Sequence, residues 1–190
     1  MKRFSGFLHV MVVLFCIFAF GACSKKAVPS KGEFGAGAGY GADQAGTGPG
    51  GLGLSESQWR ELGLNTPAER QEFMQRAQGF ENDDVYFSFN GYTLSEEARK
   101  TLQVKAEFLK RYAKVKVTVE GHCDERGTAE YNLALGERRA TTAYHYLVQL
   151  GIPSGSVTMI SFGKERPLAT GHDETSWGKN RRAHFALNFQ

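Results

Sequence analysis

The run Glu120-Gly121-His122-Cys123-Asp124-Glu125-Arg126-Gly127-Thr128 gathers carboxylates, an imidazole, a thiol and a guanidinium in one short stretch. The glycines at its two ends let the backbone turn sharply and let a ligand approach it closely. Asn132, Leu135 and Arg139 follow with i, i+3, i+7 spacing, so on a helix they share one face. That face is expected to differ from the helix's apolar one and to include the positions nearest the loop. Asp124 and Arg139 then meet at one pocket. Two uses are open for them: binding a ligand, or pairing with each other to hold the loop. Nucleophilic catalysis by Cys123 with His122 as base is disfavoured. Neighbours on a strand point to opposite faces, and a nucleophile needs its base within hydrogen-bond reach. His122, Cys123, Asp124 and any of His145, His172 or His184 lack the paired spacing of a zinc site. No catalytic residue, metal or cofactor is expected. Arg181 and Arg182 are expected to pair with acids such as Glu165, Asp173 or Glu174.

The elements that must position these groups are legible as periodicities. Val85, Phe87 and Phe89 alternate with Tyr86 and Ser88, as do Val115, Val117 and Val119 with Lys116, Thr118 and Glu120, predicting two strands. Between them, Ser95 caps a helix running to about Tyr112, with Ala98, Leu102, Ala106 and Leu109 on one side. A longer helix is predicted from Ala129 to Leu150, burying Leu133, Ala140, Ala143, Tyr144 and Leu147, and stopped by Gly151-Ile152-Pro153. A strand over Val157 to Phe162, a short helix over Thr175 to Asn180, and a last strand carrying Ala183, Phe185, Leu187 and Phe189 complete the set. This order predicts an α/β (α+β) sandwich over residues 80–190, a mixed sheet of about four strands with helices packed on one side.

The preceding residues divide by composition. Lys2 and Arg3, an apolar run from Phe7 to Phe20, and small Gly21 and Ala22 read as a signal peptide over residues 1–22, too short to span a bilayer. Phe20-Gly21-Ala22-Cys23 resembles the lipobox of bacterial lipoproteins, which implies acylation of Cys23. With Cys23 acylated and Cys16 removed, Cys123 has no disulfide partner. Residues 23–53 read as the lipidated cysteine and a tether, with ten glycines between Gly32 and Gly53 and a span of about 30 Å. Residues 54–79 read as a partly helical extension: Thr66-Pro67-Ala68-Glu69 is a helix start, Phe73, Met74 and Ala77 make a short apolar face, and Trp59 and Leu62 suggest an earlier turn. Docking on the head, binding a partner and merely extending the linker are all open for it. Losing Lys2 and Arg3 brings the formal charge from +3 to +1. A chain so near neutral lacks the basic footprint of nucleic-acid binding.

The stretch from Thr118 to Thr128, with Glu130-Tyr131-Asn132 and Leu135-Gly136-Glu137-Arg138-Arg139-Ala140, resembles the family named for the C-terminal domain of outer-membrane protein A, in its lipoprotein branch. Val85-Tyr86-Phe87 with Phe89, Ser161-Phe162-Gly163-Lys164-Glu165 with Pro167, Gly171-His172-Asp173-Glu174, and Asn180-Arg181-Arg182-Ala183 extend the resemblance across residues 80–190. It implies that Asp124 and Arg139 grip the diaminopimelate of a peptidoglycan stem peptide, with Phe89, Asn90, His122 and Asn132 beside them. A carboxylate suits the ligand's ammonium, and a guanidinium can fork onto its carboxylate. The resemblance further implies a lipid anchor in the outer membrane, which Ser24 suits, a non-enzymatic tether to the cell wall, and a periplasmic partner like the β-propeller protein TolB at an overlapping surface. Docking such a partner is the alternative main function. Two positions depart from the family pattern: Asn90 stands where the lipoproteins usually carry Asp, and Cys123 where they carry a small residue.

Overall fold

The computed structural model describes residues 53–189. The expected signal peptide, Cys23 and all of the tether before Gly53 lie outside the described residues. Ser55 and Gln58 form a capping box that starts α1 (Glu56–Glu61), and Thr66 and Glu69 form another that starts α2 (Pro67–Asn82) with Pro in the first turn. Arg70 joins the two helices, gripping Glu56 at 2.7 and 2.9 Å and covering the Trp59 ring. β1 (Val85–Tyr86), α3 (Glu96–Arg111), β2 (Lys116–His122), α4 (Ala129–Gln149), a 3-10 turn (Ser154–Ser156), β3 (Val157–Gly163), α5 (Glu174–Asn180) and β4 (Arg182–Asn188) follow.

The four strands form one mixed sheet in the order β1-β4-β2-β3, with β2 and β3 parallel and the other pairings antiparallel. The parallel pair requires a crossover, and α4 supplies it. Val117 and Val119 on β2 face the buried layer with Phe185 and Leu187 on β4, while Lys116, Thr118 and Glu120 alternate onto the opposite face. This is the mixed α+β sandwich expected from the alternating elements.

Three expectations change. The domain start expected at residue 80 falls inside α2. Phe73 and Ala77 are fully buried, and Phe73 meets the rings of Trp59, Phe108, Tyr112 and Phe189. Of the alternatives open for residues 54–79, the structure has them docked on the core through these side chains. β1 ends early: after Phe87 N–H donates to the Arg181 carbonyl, Ser88 to Gly91 turn, and Phe89 is left 60% exposed. Leu133 on α4 is 52% exposed, whereas Asn132, Leu135, Gly136, Arg139, Ala140, Ala143 and Leu147 form the buried stripe. The cause is a close crossing of glycines: a Cβ on Gly121 would lie 1.9 Å from the Gly136 carbonyl oxygen. α4 settles onto β2 at that point, which turns Asn132 and Arg139 inward and Leu133 out.

Candidate functional site

Asp124 follows the end of β2, in a loop held by its neighbours. Asn132 donates to the Arg126 carbonyl at 2.8 Å, and Lys164 to the carbonyls of Glu125 and Gly127 at 3.2 and 2.7 Å. Gly127 takes φ +92°, a conformation that glycine adopts without strain. Thr128 caps α4, accepting from Tyr131 N–H. Across from this loop stands the β1 turn, where Asn90 has φ +56° and accepts a hydrogen bond from the Tyr131 hydroxyl. Asparagine tolerates this left-handed backbone better than most residues.

Arg139 rises from α4 beneath both segments and is fully buried. Its Nε donates to the Gly91 carbonyl at 2.9 Å, Nη1 to the His122 carbonyl at 2.7 Å and to Cys123 Sγ at 3.4 Å, and Nη2 to the Ser88 carbonyl at 3.2 Å. A guanidinium has five N–H groups, so one on Nη2 remains without a partner among the described residues. No carboxylate among those residues lies within ion-pair distance of it, so Asp124 and Arg139 do not pair with each other. Burial lowers the pKa of Arg139, while the nearby Cys123 and Asp124 oppose that shift.

Asp124 is bound instead by arginines that sequence reasoning did not bring to the site. Its Oδ1 accepts from Arg126 N–H and Nε, both at 3.1 Å, and its Oδ2 from Arg126 Nη2 at 2.7 Å and Arg181 Nη1 at 3.3 Å. Burial opposes ionisation of Asp124, but the hydrogen bonds and charges of Arg126, with the hydrogen bond from Arg181, hold its pKa below the usual carboxylate value. The Arg126 guanidinium is stacked between the rings of Phe89 and Trp177, at 4.0 and 4.1 Å. The signal for the Arg126 contact was local, since an Asp side chain readily accepts from the backbone N–H two residues on. Arg181 also meets Glu174 at 2.5 Å, as expected, whereas Arg182 pairs with Asp84 at 3.0 Å rather than with Glu165, Asp173 or Glu174.

Asp124 and Arg139 line one cavity of about 220 Å³, together with Phe89, Asn90, Arg126, Asn132 and other residues of the loop and α4. The ring of His122 does not line it. Strand alternation sends that ring to the other face of the sheet, where it stacks on Phe162 at 5.5 Å, and only its carbonyl reaches the site, through Arg139. Cys123 Sγ donates to the Asn132 carbonyl at 3.3 Å, and burial raises its thiol pKa.

Fold and cavity together define an α+β module with a pocket on the loop between a sheet strand and its crossover helix. The chain belongs to the OmpA family, whose model matches residues 86–181. It is 37% identical to the peptidoglycan-associated lipoprotein of Rhizobium meliloti (strain 1021), over 92% of this chain and 84% of that protein. The crystal structure of the peptidoglycan-associated lipoprotein from Burkholderia pseudomallei superposes with a TM-score of 0.54 at 42% identity, covering 55% of this chain and 89% of that one. The C-terminal domain of Helicobacter pylori MotB shares the fold at 18% identity, with a TM-score of 0.54 over 57% of this chain and 85% of that one.

Proposed function

We propose that this chain is an outer-membrane lipoprotein that binds peptidoglycan non-covalently, through the diaminopimelate of the stem peptide. The observation that carries the reading is Arg139, a fully buried cation with no carboxylate within ion-pair distance among the described residues, in the wall of a cavity that also holds Asp124. A buried charge is stable when it is paired. A ligand carboxylate entering the cavity supplies the missing partner, through the one remaining N–H rather than a two-pronged fork. Asp124 answers the ligand's ammonium, Asn90 and Phe89 border the entrance, and Asn132 and the His122 carbonyl hold the loop and Arg139 in place. The similar lipoproteins are named as peptidoglycan-associated, which supports the cell wall as what this chain binds.

In this reading acyl chains on Cys23 hold one end in the outer membrane, facing the periplasm, and the glycine-rich stretch lets the head reach the wall. Membrane and wall are tied without catalysis, in support of envelope integrity and division as in the Tol–Pal system. A second reading is favoured by Phe89 and Tyr131, both exposed at the cavity mouth: a TolB-like periplasmic protein docks there and competes with the wall.

The test is sedimentation of the chain from residue 24 onward with purified peptidoglycan. Pelleting is expected, with release by a peptide containing diaminopimelate. Asp124→Asn is expected to weaken binding by about 2–5 kcal/mol with unchanged circular dichroism. A chain that stays in the supernatant refutes wall binding and leaves partner docking.

A further inference from the structure

The Asp124 carboxylate is already full. An ionised carboxylate offers about four acceptor positions, and Arg126 N–H, Arg126 Nε, Arg126 Nη2 and Arg181 Nη1 take them. An incoming ammonium therefore cannot donate to Asp124 unless one of these donors leaves. The Arg126 N–H is fixed by the loop backbone. Arg181 is held by the Phe87 carbonyl at 3.1 Å and by Glu174, and its side chain is 9% exposed. The Arg126 side chain is 31% exposed and sits at the cavity, between two rings that grip it without directional bonds.

We propose that Arg126 is an internal occupant of the ammonium position, and that the ligand binds by exchanging its own ammonium for the Arg126 guanidinium on Asp124. The inference rests on the stem-peptide reading and adds how the site selects its ligand. Asp124 keeps Arg181 in both states and a second cation beside it, Arg126 or the ligand's ammonium, so neither state leaves its carboxylate short of a partner. A ligand without an ammonium cannot complete the exchange. Glu174 Oε2, 3.8 Å from Arg126 Nη2, offers the released guanidinium a carboxylate close by. The ring sandwich also explains why the resting contact holds although Arg126 is partly exposed, because stacked guanidinium groups lose less freedom on pairing than loose ones.

The test is calorimetric titration of the full chain in detergent with a synthetic stem tripeptide ending in meso-diaminopimelate. The same tripeptide with its side-chain ammonium acetylated is titrated in parallel. Arg126→Gln, which removes the competitor, is expected to bind the free-ammonium peptide about tenfold tighter than the unmutated chain. Arg126→Lys is expected to fall between them, and the acetylated peptide to gain nothing. If the unmutated chain binds and both variants bind equally or more weakly, the exchange is overturned while the stem-peptide reading stands. If both peptides gain alike, Arg126 blocks the cavity without any exchange, and the proposal is again overturned. An unmutated chain that binds neither peptide removes the stem-peptide reading and the exchange with it.

Discussion

Acid is expected to destabilise this protein through His122, a residue outside the cavity. Its side chain is 2% exposed, stacked on Phe162, with Arg166 lying 3.7 Å from the centre of that same ring. Neither ring nitrogen has a hydrogen-bond partner among the described residues, and the nearest carboxylate, Glu120, is 3.5 Å from Nε2. Burial, then the charges of Arg182, His184 and Arg166, push its pKa down to about 3 from 6.5. The native histidine is therefore neutral where the unfolded one is protonated. Between pH 6.5 and 3 the unfolded chain binds a proton that the native chain does not, so stability is lost as pH falls through that window. At 1.36 kcal/mol per unit, the loss from this one group reaches about 3 kcal/mol by pH 4. Urea unfolding of the unmutated protein and of His122→Phe, at steps from pH 7.5 to pH 4, isolates it, because carboxylates common to both cancel in the difference. Phenylalanine keeps the stack on Phe162 and removes the two unpartnered nitrogens, so equal or greater stability is expected at pH 7.5. The gap should then widen in favour of the variant as pH falls. Parallel pH profiles would refute the reasoning.

Further outcomes follow from packing and burial. Gly121→Ala places a Cβ 1.9 Å from a backbone oxygen of α4; a loss of more than about 3 kcal/mol in chemical denaturation is expected. Gly79→Ala, with nothing within 4 Å of its Cβ, is the control and should stabilise α2 by about 0.5–1 kcal/mol. Phe73→Ala is expected to cost about 3–5 kcal/mol, measured by thermal melting, and a fragment starting at residue 80 should melt at least as early. Lys105 is 2% exposed, donates to the Phe80 carbonyl and lies 4.3 and 4.4 Å from the rings of Phe80 and Phe185. Burial, against the opposing charges of Asp83, Asp84 and Glu81, pushes its pKa down to about 8. Its folded pKa lies below the unfolded 10.5, so the protein should gain stability from about pH 8 to pH 10.5. Lys105→Met should be more stable by about 1–3 kcal/mol at pH 7, and the difference should shrink as pH rises through that window.

Local chemistry made much of this protein readable from its residue order. Ser95 and Thr66 cap helices because their side chains reach backbone N–H groups three residues on, and Val117 and Val119 alternate inward because a strand has a period of two. Asp124 and Arg139 could be placed in one pocket because a strand-end loop and the first turns of the next helix are neighbours in sequence. What those side chains touch was decided at longer range. Arg181 reaches Asp124 from 57 positions away, and Arg139 holds carbonyls of the β1 turn 48 and 51 positions away. Leu133 looked like core, yet the Gly121–Gly136 crossing turns it outward, and no periodicity marked Lys105 as buried. Lys105 is enclosed because α2, read as an extension, packs on α3 and brings Phe80 over it. Periodicity reports which side of an element faces inward on average. Which polar group is buried, and against what, depends on how closely two backbones approach, and that is a property of the assembled layers.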